Sequence, residues 1–87
     1  MSNVSVSESC NFKNFTATTT VTGPGRLLGV FVSSSSSGTL KLQDGSTTIV
    51  NTFNAAAATY YPVPASFAGT LNITVGGTLD ACVFWGP

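Results

Sequence analysis

Apolar side chains recur at every second position through most of this chain, in short runs broken by glycine, proline and Asp-Gly. A period of two is the repeat of a β-strand, whose successive side chains point to opposite faces. Leu28, Val30 and Val32 share one face over Arg26 to Ser33, with Leu27, Gly29 and Phe31 on the other, so this strand is apolar on both faces and reads as central. Leu40 and Leu42 alternate with polar residues over Thr39 to Gln43. Leu71, Ile73 and Val75 do so over Thr70 to Val75, and Leu79, Ala81, Val83 and Trp85 form one face of Leu79 to Trp85. Val4 and Val6, the β-branched stretch Phe15 to Thr22, the segment Ser46–Phe53 and the short Tyr60–Val63 complete the set.

Turn chemistry sets the lengths. Gly23-Pro24-Gly25 ends one strand and opens the next, and Asp44-Gly45 is a dipeptide favoured in two-residue hairpins. Gly76-Gly77 and Ser36-Ser37-Gly38 are expected to be further tips, with the run Ser33 to Ser37 as a polar strand end rather than a linker. Pro62 and Pro64 confine Tyr60–Val63 to an edge or a loop, because proline has no amide proton for a ladder. Asn54 to Tyr61 holds the one hint of helix, stopped by Pro62 after at most about two turns, and reads as a short turn or an extended connection. The expectation is a single domain over residues 1–87: an all-β, small antiparallel β-sandwich, jelly-roll-like, of seven to eight short strands. An immunoglobulin arrangement fits less well, since Trp85 follows Cys82 instead of lying between two cysteines.

Composition narrows the chemistry. Six of 87 residues are charged, three of each sign, and there is no histidine. Acids stand only at Glu8, Asp44 and Asp80, and neither a GxSxG motif nor a base beside a nucleophile occurs, so no enzyme is expected. A glycosidase would need two of those three acids to converge, while Asp44 already serves a turn and Asp80 lies on a wet strand face. Lys13, Arg26 and Lys41 are too few to neutralise a run of phosphates, so no nucleic-acid partner is expected. No cofactor or metal is expected either: Cys10 and Cys82 stand alone, without the spacing of a metal site. They read as free thiols more readily than as a disulfide. MSNVSVSESC has neither the basic nor the apolar region of a secretory leader, and no apolar run is long enough to span a bilayer. Three Asn-x-Ser/Thr sequons, at Asn3, Asn14 and Asn72, are about what six asparagines among 24 serines and threonines give by chance.

Large rings are the remaining candidates. Tyr60, Tyr61, Phe84 and Trp85 cluster near proline-rich or terminal segments, and the choice lies between core closure, a protein interface and a sugar-stacking surface. Interface anchors are preferred to sugar platforms, because the hydrogen-bonding side chains that accompany bound sugars are scarce. Charge also keeps monomers apart and guards sheet edges, and a surface without it is expected to associate with itself or a scaffold through strand and loop edges.

The stretch GRLLGVFVSSSSSGTLKLQDG, followed by TTIVNTF, TYYPVP and LNITVGGTLDACVFW, resembles small β proteins encoded among the structural genes of tailed bacteriophages. The resemblance runs from Gly25 to Trp85. It implies a capsid decoration, or cement, protein on the virion surface, made in the host cytoplasm. Its partners would be itself, as a homo-oligomer such as a trimer, and a major capsid protein, with no membrane involved. No catalytic residues come with that family. The serine run and Cys10/Cys82 lie outside the pattern. A tail, fibre or baseplate component, or a carbohydrate-binding, adhesin-like module using the same rings, are the alternatives.

Overall fold

The computed structural model describes residues 10–87. The strand expected at Val4 and Val6, the sequon at Asn3 and the acid Glu8 lie outside the described residues. Six strands account for most of the rest: β1 (Asn11–Phe15), β2 (Thr19–Thr22), β3 (Gly25–Asp44), β4 (Thr47–Asn54), β5 (Thr59–Phe67) and β6 (Thr70–Gly86). All pair antiparallel in one sheet.

The two long strands, β3 and β6, pair with each other from Arg26↔Gly86 to Asp44↔Leu71 and carry all the others on their outer sides. Each short strand flanks only half of a long one. β1 lies beside the second half of β6 and β5 beside the first half of β3, giving the order β1-β6-β3-β5; this is the β1/β5 half. β2 and β4 flank the other ends in the order β2-β6-β3-β4, the β2/β4 half.

A straight strand of 20 residues would reach about 66 Å, whereas the longest dimension of the molecule is 40 Å. β3 and β6 therefore bend. Register slips in β3 between Val32 and Ser34 and between Ser36 and Thr39, where Ser37 (φ 58°) lies near Gly77 of β6 (φ 67°). These are β-bulges, which turn and twist a strand without ending its ladder. The tips expected at Ser36-Ser37-Gly38 and at Gly76-Gly77 are thus corrected: both strands run through them. Glycine and left-handed backbone serve bulges as well as turns, so composition alone does not separate the two. A β-carbon on Gly77 would collide with the Ser37 carbonyl.

Strand number changes for the same reason. Arg26–Ser33 and Thr39–Gln43 are parts of one strand, as are Thr70–Val75 and Leu79–Trp85. Phe15–Thr22, expected as one strand, is two, because the chain steps from Ala81 of β6 to Ile73 as it passes from one half to the other. The Thr18 hydroxyl accepts the Val75 N–H at 3.0 Å across that gap. The seven to eight strands expected are six among the described residues.

The hairpin expected at Asp44-Gly45 is shifted by one residue: Asp44 belongs to β3 and pairs with Thr47, so the loop is Gly45-Ser46, with Gly45 at φ 60°. Other local expectations hold. β5, with its two prolines, is an edge strand. Ala55–Ala58 form no helix; they make a turn, with Ala58 at φ 54° and the Ala55 N–H donating to the Gly38 carbonyl at 2.9 Å.

One face of the sheet is buried and wholly apolar among the described residues. Leu27, Val30, Val32, Ala81, Val83 and Phe67 from the β1/β5 half join Leu40, Leu42, Leu71 and Ile73 from the β2/β4 half in a single cluster. Leu27 replaces Leu28 on this face. The register against β6 slips between Leu27 and Gly29, which pair with the adjacent Trp85 and Phe84, so Leu28 is the extra residue of a bulge and Leu27 stands in line with Trp85.

Candidate interaction surface

Residues that alternate with the core form the opposite, open face, and its chemistry differs between the two halves. In the β2/β4 half it carries Thr20, Thr22, Thr39, Lys41, Gln43, Asn72 and Thr74, the polar coat of a sheet that meets water. In the β1/β5 half it carries Phe12, Phe31, Tyr60 and Phe84, together with Cys82 and Pro62.

Register brings these rings together. Phe12 stands opposite Phe84 on the β1–β6 ladder, Phe84 opposite Gly29 on β6–β3, and Gly29 opposite Pro62 on β3–β5. One row along, Asn14, Cys82, Phe31 and Tyr60 face one another across the same four strands. The Tyr60 ring lies over Gly29 and meets Phe84 edge-on, with centroids 6.4 Å apart. Only glycine permits this: a β-carbon at Gly29 would come within 2.6 Å of Tyr60 Cζ. Tyr60 therefore fills the space that Gly29 leaves on the sheet and joins the β5 edge to the centre.

The rings remain open to solvent. Phe12 is 71% exposed, Tyr60 46% and Phe31 38%. At about 150–250 Å² for a full aromatic side chain, these three alone present about 300 Å² of mostly apolar surface, the scale at which a monomer's patches are commonly functional. Each stands on a strand of the paired sheet, so the surface is rigid and loses little entropy on being covered.

Of the four expected anchors, the structure brings Tyr60 and Phe84 together on the open face. Tyr61 and Trp85, one residue on from each, point to the other face. Tyr61 packs edge-on against Phe53 at 5.0 Å, accepts the Ala56 N–H at 2.8 Å, and lines an apolar cleft of about 370 Å³ between β4 and β5 with Val50 and Val63. Trp85 packs against the core cluster. Phe12 and Phe31 were missed. Alternation does place Phe31 on the face opposite Val30 and Val32, but whether that face is covered depends on what lies across it, which a single strand does not record.

Several polar groups of the sheet are already engaged, Asn14, Asp80 and Ser33 beside the patch among them. Asn14 Nδ2 donates to Asp80 Oδ1 and to the Ala81 carbonyl, both at 2.9 Å, and the Ser33 hydroxyl donates to the Asp80 carbonyl at 3.0 Å. Lys13 Nζ donates to the Thr20 carbonyl at 3.2 Å, Arg26 Nε to the Pro87 carbonyl at 3.0 Å, and Asp44 accepts the Ala68 N–H at 3.1 Å. Asp44 and Asp80 lie in different halves of the sheet, opposite Leu71 and Ser34. Among the described residues no group of three or more His, Cys, Asp or Glu side chains is placed to hold a metal ion.

Both cysteines are free. Cys82 pairs with Asn14, four residues along β1 from Cys10, about 13 Å of strand and well beyond the reach of a disulfide. Burial is the main influence raising the Cys82 thiol above its ordinary value. The Lys13 backbone N–H opposes the rise, and Asp80 and Cys10 add to it.

Comparison of the chain with protein-family models, curated proteins and solved structures found no match.

Proposed function

We propose that this chain is a non-enzymatic structural protein that works by being covered: a capsid decoration, or cement, protein of the tailed-bacteriophage kind. Its sheet would be folded on itself as a small jelly-roll-like sandwich. The observation that carries the functional reading is the neutral aromatic surface on the open face of the β1/β5 half. Uncharged, ring-rich and built on paired strands, it has the composition of the core of a protein interface, where aromatic residues are enriched and charges are depleted. Such a surface gives up little hydration when buried, which suits permanent assembly.

The sandwich reading draws support from the two bent strands, each longer when straight than the molecule, and from the single core cluster fed by both halves. Fully buried residues on one face of a sheet need a cover, and among the described residues the other half of the same sheet is the available one.

The surface also moves the proposed contact from strand edges to a strand face. Every edge carries its own obstacle to pairing. β5 has Pro62 and Pro64, β4 is bulged against β3 at two places, β2 has four residues, and β1 has five and includes Lys13. A carbohydrate platform draws less support, because Asn14, Asp80 and Ser33 beside the rings already serve the fold.

The test is the protein content of purified particles from cells carrying the gene. The expected result is the chain in stoichiometric amounts with the major shell protein, and shells less resistant to heat when the gene is deleted. Particles free of the chain, with the protein left in the lysate, would overturn the reading.

A further inference from the structure

We propose that the aromatic open face of the β1/β5 half is covered by the same face of a second copy, in a two-fold symmetric dimer whose axis runs along the strands. The inference rests on the reading of this face as a contact surface and names its partner.

The first argument is charge. Of the charged groups near this half, Lys13 and Arg26 are turned to backbone carbonyls and Asp80 is held by Asn14, so the patch has no charge with which to select a charged partner. A neutral apolar surface is best matched by another of the same kind, and two copies meet there without like-charge repulsion. The second is area. About 300 Å² of ring surface from each copy makes the apolar centre of an interface. The surrounding Ser, Thr and Asn side chains would form the polar rim of such an interface.

The third argument is shape under symmetry. Phe12 projects at the β1 margin and Pro62 stands at the β5 margin of the same row, while the Tyr60 ring leans from β5 over Gly29 to meet Phe84 at the centre. A two-fold axis parallel to the strands lays β1 of one copy over β5 of the other. The axis keeps position along the strands, so Phe12 meets the partner subunit's Pro62, which shares its row, and the contact occurs twice, as an isologous interface requires. Flat sheet faces pack in this way, with side chains interdigitating across about 10 Å.

Sedimentation equilibrium over a wide concentration range, on the full chain, reads the association directly. Wild type is expected to dimerise, and Phe12→Ser to weaken the dimer at least tenfold; with its ring mostly in solvent, that variant should keep its unfolding midpoint. A second measurement fixes the geometry. In a Cys10→Ser/Cys82→Ser background, Phe12→Cys and Pro62→Cys chains mixed under oxidising conditions are expected to give the mixed disulfide dimer in preference to either like pair. A monomer at every concentration, or a dimer indifferent to Phe12→Ser, would overturn the proposal. So would cross-linking of like pairs in preference to the mixed one. A monomer that still enters particles would overturn the dimer alone, leaving the contact surface to a different protein.

Discussion

The two halves of the sheet share a plan and differ on one side. Each has four strands in the same arrangement, two long strands at the centre and two short ones at the edges, and each buries Leu, Val, Ile or Ala on one face. On the other face, Thr, Asn, Gln and Lys in the β2/β4 half give way to Phe12, Phe31, Tyr60 and Phe84 in the β1/β5 half. Folding constrains the buried faces alike, so stability does not account for the difference. Tyr60 packs over Gly29 and against Phe84, but the mostly exposed Phe12 costs solubility and adds little to the monomer, which locates the functional demand on that side of that half.

Core truncation should break both halves equally. Leu27→Ala in the β1/β5 half and Leu42→Ala in the β2/β4 half each remove a fully buried side chain and should each cost about 2–5 kcal/mol in denaturant unfolding. A large cost in one and a small cost in the other would show that the halves do not share one core. Next in size is the centre of the aromatic surface. Gly29→Ala forces Tyr60 off the sheet and should cost about 1–3 kcal/mol as well as association, since the added carbon meets a packed ring. Open-face substitutions should separate the halves most sharply. Phe12→Ser and Gln43→Ser should each leave stability within about 1 kcal/mol of wild type, but only the first should reduce association.

The smallest effect is a dependence on pH. Burial holds the Cys82 thiol above its ordinary value of 9.0, so the folded chain keeps that proton after the unfolded chain has lost it. The stability this confers is present below 9.0 and declines as pH rises through the unfolded and then the folded value. Unfolding midpoints of wild type and Cys82→Ser, measured either side of pH 9.0, should therefore differ in slope, with wild type losing more.

Much of the buried face was legible because it needs only the alternation of each strand. Leu40, Leu42, Leu71, Ile73, Val83 and the edge position of the proline-bearing β5 all follow from period two and from proline's missing amide proton. Strand continuity was not legible, because Gly76-Gly77 and Ser36-Ser37-Gly38 suit a bulge as well as a hairpin tip, and the choice depends on a neighbouring strand bending at the same level. The Leu28 bulge hid which leucine enters the core for the same reason. For the surface, sequence singled out Tyr60 and Phe84 but grouped them with their neighbours Tyr61 and Trp85, which alternation sends to the other side. Phe12 and Phe31 join the patch only through cross-strand register, information held by pairs of strands.

The central claim, that the open face of the β1/β5 half is a contact surface and that of the β2/β4 half is not, is tested most directly by side-chain footprinting of the chain in dilute and in assembled form. Hydroxyl-radical oxidation of Phe12, Phe31 and Tyr60 should fall on assembly, while acetylation of Lys41 stays unchanged. Rings that remain as reactive in the assembled state as in the dilute one, with protection at Lys41 instead, would contradict the account.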